Sequence, residues 1–278
     1  MLYINKFNSS GDVQTALQNG TLLKPYLAIV GNSVDYNSQS TEIDYSTHYL
    51  TFNVISGGNI TWSAPYESSL TRTISYSTDS GSTWSSITAT ESGVNIPVSS
   101  GDVVMFKGTN TEYCDDDDDC CIFGGTAQFE AEGNIMSLLY GDNFSGQTVL
   151  PVTTNETGQT FHNLFLNCTG LTSVENLILP ATTLRFMCYA CMFSGCTQIT
   201  KAPELPATTL ESGCYDYMFE ECENLEYIKC LATTIDSNYT YEWVQGVAET
   251  GTFVKASSAS WTTGIDGIPS GWTVENAS

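Results

Sequence analysis

The residues whose types and spacing are best suited to chemistry lie in segment 114–121, where five consecutive aspartates stand between cysteines. Five adjacent carboxylates repel one another, so the loop must be solvated or must hold a cation. Calcium takes oxygen ligands, and Asp115, Asp117 and Asp119 are the candidates here. Consecutive side chains diverge, however, and the run has no glycine for the turn of a calcium loop. An exposed acidic hairpin tip, a calcium contact and a Cys114–Cys120 disulfide all stay open.

A second group of cysteines, Cys188, Cys191 and Cys196, includes a CxxC spacing that zinc ligands or a redox pair would use. The spacing occurs in one copy of an internal repeat, because Cys188 corresponds to Cys214 but Cys191 corresponds to Tyr217. Cysteines that recur in a repeat share a packing role, and a reduced cysteine suits a core. We therefore predict buried thiols, with oxidation between neighbouring copies as the alternative.

Motifs for catalysis are missing from the sequence. His162 stands alone, and neither G-x-S-x-G nor G-x-x-x-x-G-K-[ST] occurs. Residues 77–84 match the Asp-box pattern Ser-x-Asp-x-Gly-x-x-Trp of sialidases, but a sialidase needs several boxes and an arginine trio. This chain has one box and two arginines, Arg72 and Arg185. We predict that the box is a hairpin turn, that the chain is not an enzyme, and that it uses no cofactor.

The charge of the chain limits its partners. Eight Lys and Arg face 31 Asp and Glu among 278 residues, which gives a formal charge of −23. Nucleic acid and anionic lipid are not expected as partners, because both bind through Lys and Arg. No apolar run is long enough to span a membrane. The first residues lack the basic and apolar segments of a signal peptide, so we expect reduced thiols and assembly in the cytosol.

Apolar and turn residues indicate a first part at residues 1–45 and a second at 46–133. The sequence of the first part predicts a short helix at 13–17 and a β-hairpin at 26–36. These elements form either an N-terminal attachment module or a plain cap on the next part. The second contains short alternating strands, most clearly at 47–55, and predicts a small immunoglobulin-like β-sandwich.

The strongest signal is an internal repeat within residues 134–254. The sequence Ala-Thr-Thr begins at Ala181, Ala207 and Ala232, in steps of 26 and 25 residues, and leucine and cysteine keep fixed phases. Such a step is typical of a leucine-rich-repeat solenoid, whose stacked units share one core. Residues 255–278 are rich in apolar side chains and are expected to cap the last repeat. The predicted fold class is mixed and mainly β.

The repeat resembles the BspA-type leucine-rich repeats, on residues 192–210 and the close copy that follows. Such repeats occur in surface proteins of gut Bacteroidales and in virion proteins of the crAss-like phages that infect them. The flanking segments 133–143, 251–255 and 267–274 are similar to that group. Residues 20–28 are similar to the N-termini of phage head-fibre or decoration proteins.

The resemblance implies a structural virion protein, a head fibre or capsid decoration on the capsid surface that assembles in the host cytoplasm. It implies a homotrimer that attaches to a capsid protein through the N-terminal module. Contact with host surface glycans would use aromatic residues, unless these pack in the core: Tyr189, Tyr215, Tyr217 and Tyr241. The alternatives are a bacterial surface adhesin or interaction module and a tail-associated receptor-binding protein. The run 115–119 departs from the family pattern.

Overall fold

The computed structural model describes the backbone of three strands before residue 43 and, in full, residues 43–65, 72–115, 119–153 and 158–277. In these residues the chain is mainly β with one short helix, which confirms the mainly β class. No helix among them is long and apolar enough to cross a membrane. Contacts divide the chain into two compact units, Met1–Ile43 and Asp44–Ser278. The boundaries predicted at residues 133 and 254 fall inside the second unit.

The N-terminal unit contains a three-stranded sheet. Its strands are β1 (Ile4–Phe7), β2 (Leu27–Val30) and β3 (Ser33–Asp35). β2 and β3 pair antiparallel and form the predicted hairpin. β1 pairs parallel with β2, and the sequence pattern does not indicate it. The helix predicted at 13–17 lies outside the described residues.

The second unit begins with two β-sheets. In chain order, their first eight strands are β4 (Leu50–Ser56), β5 (Gly58–Ser63), β6 (Thr73–Ser77), β7 (Ser85–Thr88), β8 (Val94–Val98), β9 (Val103–Lys107), β10 (Ile122–Gly125) and β11 (Gln128–Asn134). The helix α1 (Ser137–Tyr140) and the strand β12 (Leu171–Ile178) follow. The larger sheet has the order β12-β11-β4-β9-β6-β7 and the smaller one β10-β5-β8. The larger sheet therefore takes its edge strand β12 from the repeat region.

Aromatic side chains join these two sheets. Phe52 of β4 and Phe123 of β10 have ring centroids 5.0 Å apart, and Trp62 of β5 lies 4.6 Å from Phe123. Along β4, Leu50, Phe52 and Val54 are buried, as the alternation of apolar residues predicts. Each buried side chain of this size stabilises the fold by about 1.5–3 kcal/mol relative to exposure, so this aromatic cluster fixes how the sheets face each other.

The repeat region forms successive turns of chain that stack on one another. The backbone N–H groups of each turn alternate between two kinds of acceptor. Many donate to a carbonyl oxygen three residues earlier in the same turn. Those between them donate to a carbonyl oxygen of the next turn, 24–27 residues later. The Phe193 N–H donates to Met218 O at 3.0 Å, and the Phe219 N–H donates to Trp243 O at 2.9 Å. This division gives buried donors a partner either within the turn or in its neighbour, as a buried backbone requires.

The tight bends of these turns place residues with positive φ at the same phase of each copy. One column has φ between 49° and 60° and consists of Asn163, Cys191, Tyr217 and Glu242. A second column has φ between 55° and 77° and consists of Asn167, Gly195, Glu221 and Gly246. A left-handed backbone conformation is uncommon for residues other than glycine. The hydrogen bonds between stacked turns therefore hold the non-glycine residues of these columns in this conformation.

Two aromatic columns run through the stacked turns. The first has centroid separations of 5.4–6.2 Å and consists of Tyr113, Phe161, Tyr189, Tyr215, Trp243 and Trp261. The second has separations of 5.6–5.7 Å and consists of Phe123, Phe165, Phe193 and Phe219. Because Phe123 also contacts Phe52, the core between the sheets and the core of the turns are continuous.

The last three strands continue the stack. They are β13 (Tyr227–Cys230), β14 (Thr252–Lys255) and β15 (Thr273–Asn276), and they pair in parallel. Beyond β14, Trp261 stacks on Trp243 with centroids 5.4 Å apart. Trp261 therefore packs on the last turn, whereas Ile265 and Val274 are exposed, and the C-terminal cap at 255–278 stays a prediction.

Candidate functional site

Cys114 and Cys120, on either side of the acidic run, pair antiparallel, and a disulfide closes this hairpin base. Cys114 and Cys120 are bonded to each other and buried, and the Asp115 N–H donates to Asp119 O at 3.0 Å. The disulfide is one of the three arrangements that the sequence leaves open. The expectation of reduced thiols is therefore wrong for this pair, because the hairpin brings the two cysteines together.

A buried ion pair lies beside the hairpin. Arg72 Nη2 donates to Glu112 Oε1 at 2.9 Å and to Asp115 Oδ1 at 3.2 Å, and the Glu112 side chain is 2% exposed. Asp115 thus already has a cationic partner, which reduces the negative charge that it offers to calcium. Asp117 lies outside the described residues, so the calcium site of Asp115, Asp117 and Asp119 stays a prediction.

The structure brings His162 to the disulfide from a distant part of the sequence. One ligand atom from each of Cys114, Cys120 and His162 lies within 4.8 Å of the other two, and all three residues are buried. In the described part of the chain, no other group of three or more Cys, His, Asp or Glu brings its ligand atoms so close. The sequence gives no short-range signal for this contact, because it depends on how the first repeat turn packs on the hairpin.

Backbone hydrogen bonds and one side chain position this cluster. The Tyr113 N–H donates to Thr160 O at 2.9 Å, which joins the base of the hairpin to the segment that carries His162. Asn163 has a φ of 60°, and its Nδ2 donates to Cys120 Sγ at 3.3 Å. The Asn163 side chain therefore holds an amide N–H against the sulfur atom.

Burial governs the thiol chemistry around the cluster. Burial raises the pKa of the neighbouring thiol of Cys121 to about 11, although Arg72 acts in the opposite direction. A thiol with such a pKa is neutral at pH 7 and is a poor nucleophile. Because Cys114, Cys120 and His162 are also buried, the cluster is better suited to a disulfide or a bound metal than to attack on an external substrate.

The cysteines that recur in the repeat are buried, as predicted. Cys168, Cys196 and Cys222 form one buried column, and the thiols of Cys196 and Cys222 donate to the preceding turn. Cys196 Sγ donates to Phe165 O, and Cys222 Sγ donates to Phe193 O, both at 3.1 Å. These thiols therefore fill space and satisfy carbonyl groups of the stack.

The CxxC spacing of Cys188 and Cys191 does not produce a ligand cluster. Cys188 is buried, whereas Cys191 is partly exposed and has positive φ. Neither belongs to a group of three or more ligand atoms among the residues that the structure describes. The absence of a cluster here agrees with the sequence, in which the CxxC spacing occurs in only one copy of the repeat.

The four tyrosines considered for glycan contact divide into two pairs. Tyr189 and Tyr215 are 1% exposed and lie in the first aromatic column. Tyr217 and Tyr241 form an edge-to-face pair with centroids 5.3 Å apart, and Tyr241 is 45% exposed. Only the second pair offers an aromatic surface to an external ligand.

The Asp-box is the hairpin turn between β6 and β7, as predicted. Asp79 Oδ1 accepts from the Thr83 N–H at 2.9 Å and from Ser77 Oγ at 2.7 Å, and Asp79 Oδ2 accepts from Thr83 Oγ1 at 2.6 Å. Gly81 has a φ of 82°, and Trp84 Nε1 donates to Gly81 O at 3.1 Å. Each distinctive residue of the box therefore holds the turn.

Comparison with protein-family models, with curated proteins and with solved structures finds no match to this chain. The resemblance to BspA-type repeats and the role in a virion stay predictions from the sequence.

Proposed function

We propose that this chain is a structural protein of a phage virion, a head fibre or capsid decoration that projects from the particle. The observation that carries the proposal is the continuous stack of turns, in which an aromatic column extends from Tyr113 to Trp261 within one compact unit. Neighbouring turns share hydrogen bonds and ring contacts, so the stack resists bending. A rigid body of this kind suits a projecting part of a particle.

The finer fold in this proposal is an immunoglobulin-like β-sandwich followed by a BspA-type leucine-rich-repeat solenoid. The aromatic contacts between the two sheets support the sandwich. The hydrogen bonds between turns, 24–27 residues apart, support the solenoid because this step lies in the leucine-rich-repeat range.

The proposed partners follow from the two units. The unit Met1–Ile43 has its own compact set of contacts, which supports a role as the module that attaches to a capsid protein. The fibre itself would be a homotrimer. Tyr217 and Tyr241 would contact host surface glycans, since their rings offer apolar faces next to polar hydroxyl groups.

Two experiments test the virion role. Light scattering of the full-length protein should give the mass of a trimer, and a stable monomer at micromolar concentration would contradict the fibre. Deletion of residues 1–36 should abolish incorporation into particles while the second unit keeps its circular dichroism spectrum. Incorporation of the deletion variant would place the attachment site in another part of the chain.

A bacterial surface adhesin is the second candidate, and the Cys114–Cys120 disulfide favours it. Disulfides are common in exported proteins and rare in the cytosol. Alkylation of native material before denaturation, followed by mass spectrometry, distinguishes the two roles. An oxidised pair in protein at the bacterial surface supports the adhesin, and a reduced pair in freshly assembled particles supports the virion protein. A tail-associated receptor-binding protein would instead be located on the tail when particles are labelled and imaged.

A further inference from the structure

We propose that Cys114, Cys120 and His162 form a zinc site when the disulfide between the two cysteines is reduced. Their ligand atoms lie within 4.8 Å of one another. Tetrahedral zinc, with Zn–S bonds of about 2.3 Å and Zn–N bonds of about 2.0 Å, holds its ligand atoms about 3.3–3.8 Å apart. Reduction lets the two sulfur atoms separate to that distance, and the imidazole is already beside them.

The ligand types select zinc over calcium. Two thiolates and one imidazole are soft or borderline ligands, which zinc prefers, whereas calcium and magnesium bind oxygen atoms. The site is therefore chemically distinct from the calcium site predicted on Asp115, Asp117 and Asp119. It differs also in its requirement for reduced sulfur.

The surroundings of the cluster suit a metal-bound thiolate pair. Asn163 Nδ2 donates to Cys120 Sγ at 3.3 Å, and hydrogen bonds of this kind orient the ligands of metal sites and tune the metal. Two thiolates in a buried position carry a large desolvation cost, which a divalent cation offsets. The adjacent acidic run adds a negative potential that attracts a cation. A fourth coordination position remains for water.

Electrons and protons are accounted for when the disulfide is converted to the zinc site. A dithiol reductant supplies two electrons and two protons, the Cys114–Cys120 bond breaks into two thiols, and the reductant closes its own disulfide. Zn²⁺ then displaces both thiol protons to the buffer and binds the two thiolates and one imidazole nitrogen of His162. The disulfide closes the hairpin only, whereas the zinc ion also links the hairpin to the first repeat turn. The hairpin is thereby cross-linked under both reducing and oxidising conditions.

Cobalt titration of the full-length protein tests the site, because tetrahedral Co²⁺–thiolate complexes absorb visible light. When the protein is reduced with a phosphine, we expect it to bind one Co²⁺ per chain and to exchange that Co²⁺ for Zn²⁺. The melting temperature of the reduced protein should rise when Zn²⁺ is added. Protein with the disulfide intact should bind Co²⁺ at least tenfold more weakly. Failure of the reduced protein to bind Co²⁺ stoichiometrically would overturn the proposal.

Variants locate the bound metal. Cys114→Ser and His162→Gln should each weaken Co²⁺ binding at least tenfold. Cys196→Ser is the matched control, since this buried thiol lies outside the cluster and a hydroxyl can still donate to Phe165 O. His162→Cys exchanges one ligand for another, so it should retain binding and strengthen the sulfur-to-cobalt charge-transfer absorption, even if the other variants unfold. Binding as tight in Cys114→Ser and His162→Gln as in the wild type would place the metal elsewhere and refute the site.

Discussion

The ring of Phe193 lies parallel to that of Phe219, with centroids 5.7 Å apart and 2° between the planes. On its other side, Phe193 stacks on Phe165 at 5.6 Å and 4°. All three side chains are fully buried. Each ring thus contacts a ring in the turn before and the turn after, and the stability of one copy depends on its neighbours.

Phe193→Ala is expected to lower the free energy of unfolding by about 3–5 kcal/mol, because it opens a cavity in the middle of the aromatic column. Phe193→Leu is the control and should cost clearly less, since leucine fills most of the space. Denaturant unfolding of the full chain measures both variants. Equal losses for the two substitutions would contradict the cavity explanation, because leucine fills most of the space that alanine leaves empty.

Arg72→Gln is expected to destabilise the protein by about 3 kcal/mol or more, because it removes the cation paired with the buried carboxylate of Glu112. The control is Lys201→Gln, which breaks an exposed pair with Glu175 and should cost about 1 kcal/mol or less. Thermal and chemical unfolding give the two differences. A cost for Arg72→Gln no greater than that of the control would show that the pair near the hairpin adds little stability.

The Asp79 turn should make stability depend on pH in the acid range. Hydrogen bonds, chiefly from the Thr83 hydroxyl, lower the pKa of Asp79 to about 2. The ordinary pKa of an aspartate is about 3.9. The stability that ionised Asp79 contributes to the fold is therefore complete above pH 3.9 and is lost as the pH falls towards 2. The difference in melting temperature between wild type and Asp79→Asn should therefore be largest near pH 6 and shrink below pH 4. A difference that stays constant down to pH 3 would contradict this role.

The repeat thiols should react with iodoacetamide in a defined order. Burial raises the pKa of Cys168 and of Cys188 to about 12, so at pH 8 both are almost entirely neutral thiols. Cys191 is partly exposed and should be alkylated first. Time-resolved mass spectrometry in native buffer measures the order. Alkylation of Cys168 as fast as that of Cys191 would mean that the stack opens readily, and a denatured sample provides the reference rate.

The surface pair of tyrosines predicts a binding defect without a folding defect. Tyr241→Ala should reduce binding of the protein to host surface glycans by at least several-fold, whereas the melting temperature changes little because the side chain is 45% exposed. Phe186→Ala is the control, since Phe186 is an equally exposed aromatic residue at 46%. Binding measured on immobilised glycans that is unchanged in Tyr241→Ala would remove this pair from the proposed contact surface.

Local patterns in the sequence are sufficient for several elements. The alternation at 47–55 predicts the buried face of β4, and the Asp-box predicts the turn around Asp79, because both depend on residues close in the chain. The recurrence of Cys196 and Cys222 at one phase predicts their burial, since a stacked repeat gives equivalent positions equivalent surroundings.

Contacts between distant segments are not available from such patterns. The pairing of β11 with β12 joins residues on both sides of the boundary expected at 133. His162 meets Cys114 and Cys120 only because the first repeat turn packs on the hairpin base. In both cases long-range backbone pairing determines the neighbours, and no local spacing carries that information.

The two columns of left-handed residues repeat a backbone conformation and not a residue type: Asn163, Cys191, Tyr217 and Glu242 share one phase with four different side chains. Gain or loss of one whole copy would therefore leave the register of every remaining turn unchanged. Both ends of the stack, the sheets at one and Trp261 at the other, would keep their own contacts. A change in copy number would therefore change the length of the stack in steps of one turn, while its two ends stay the same.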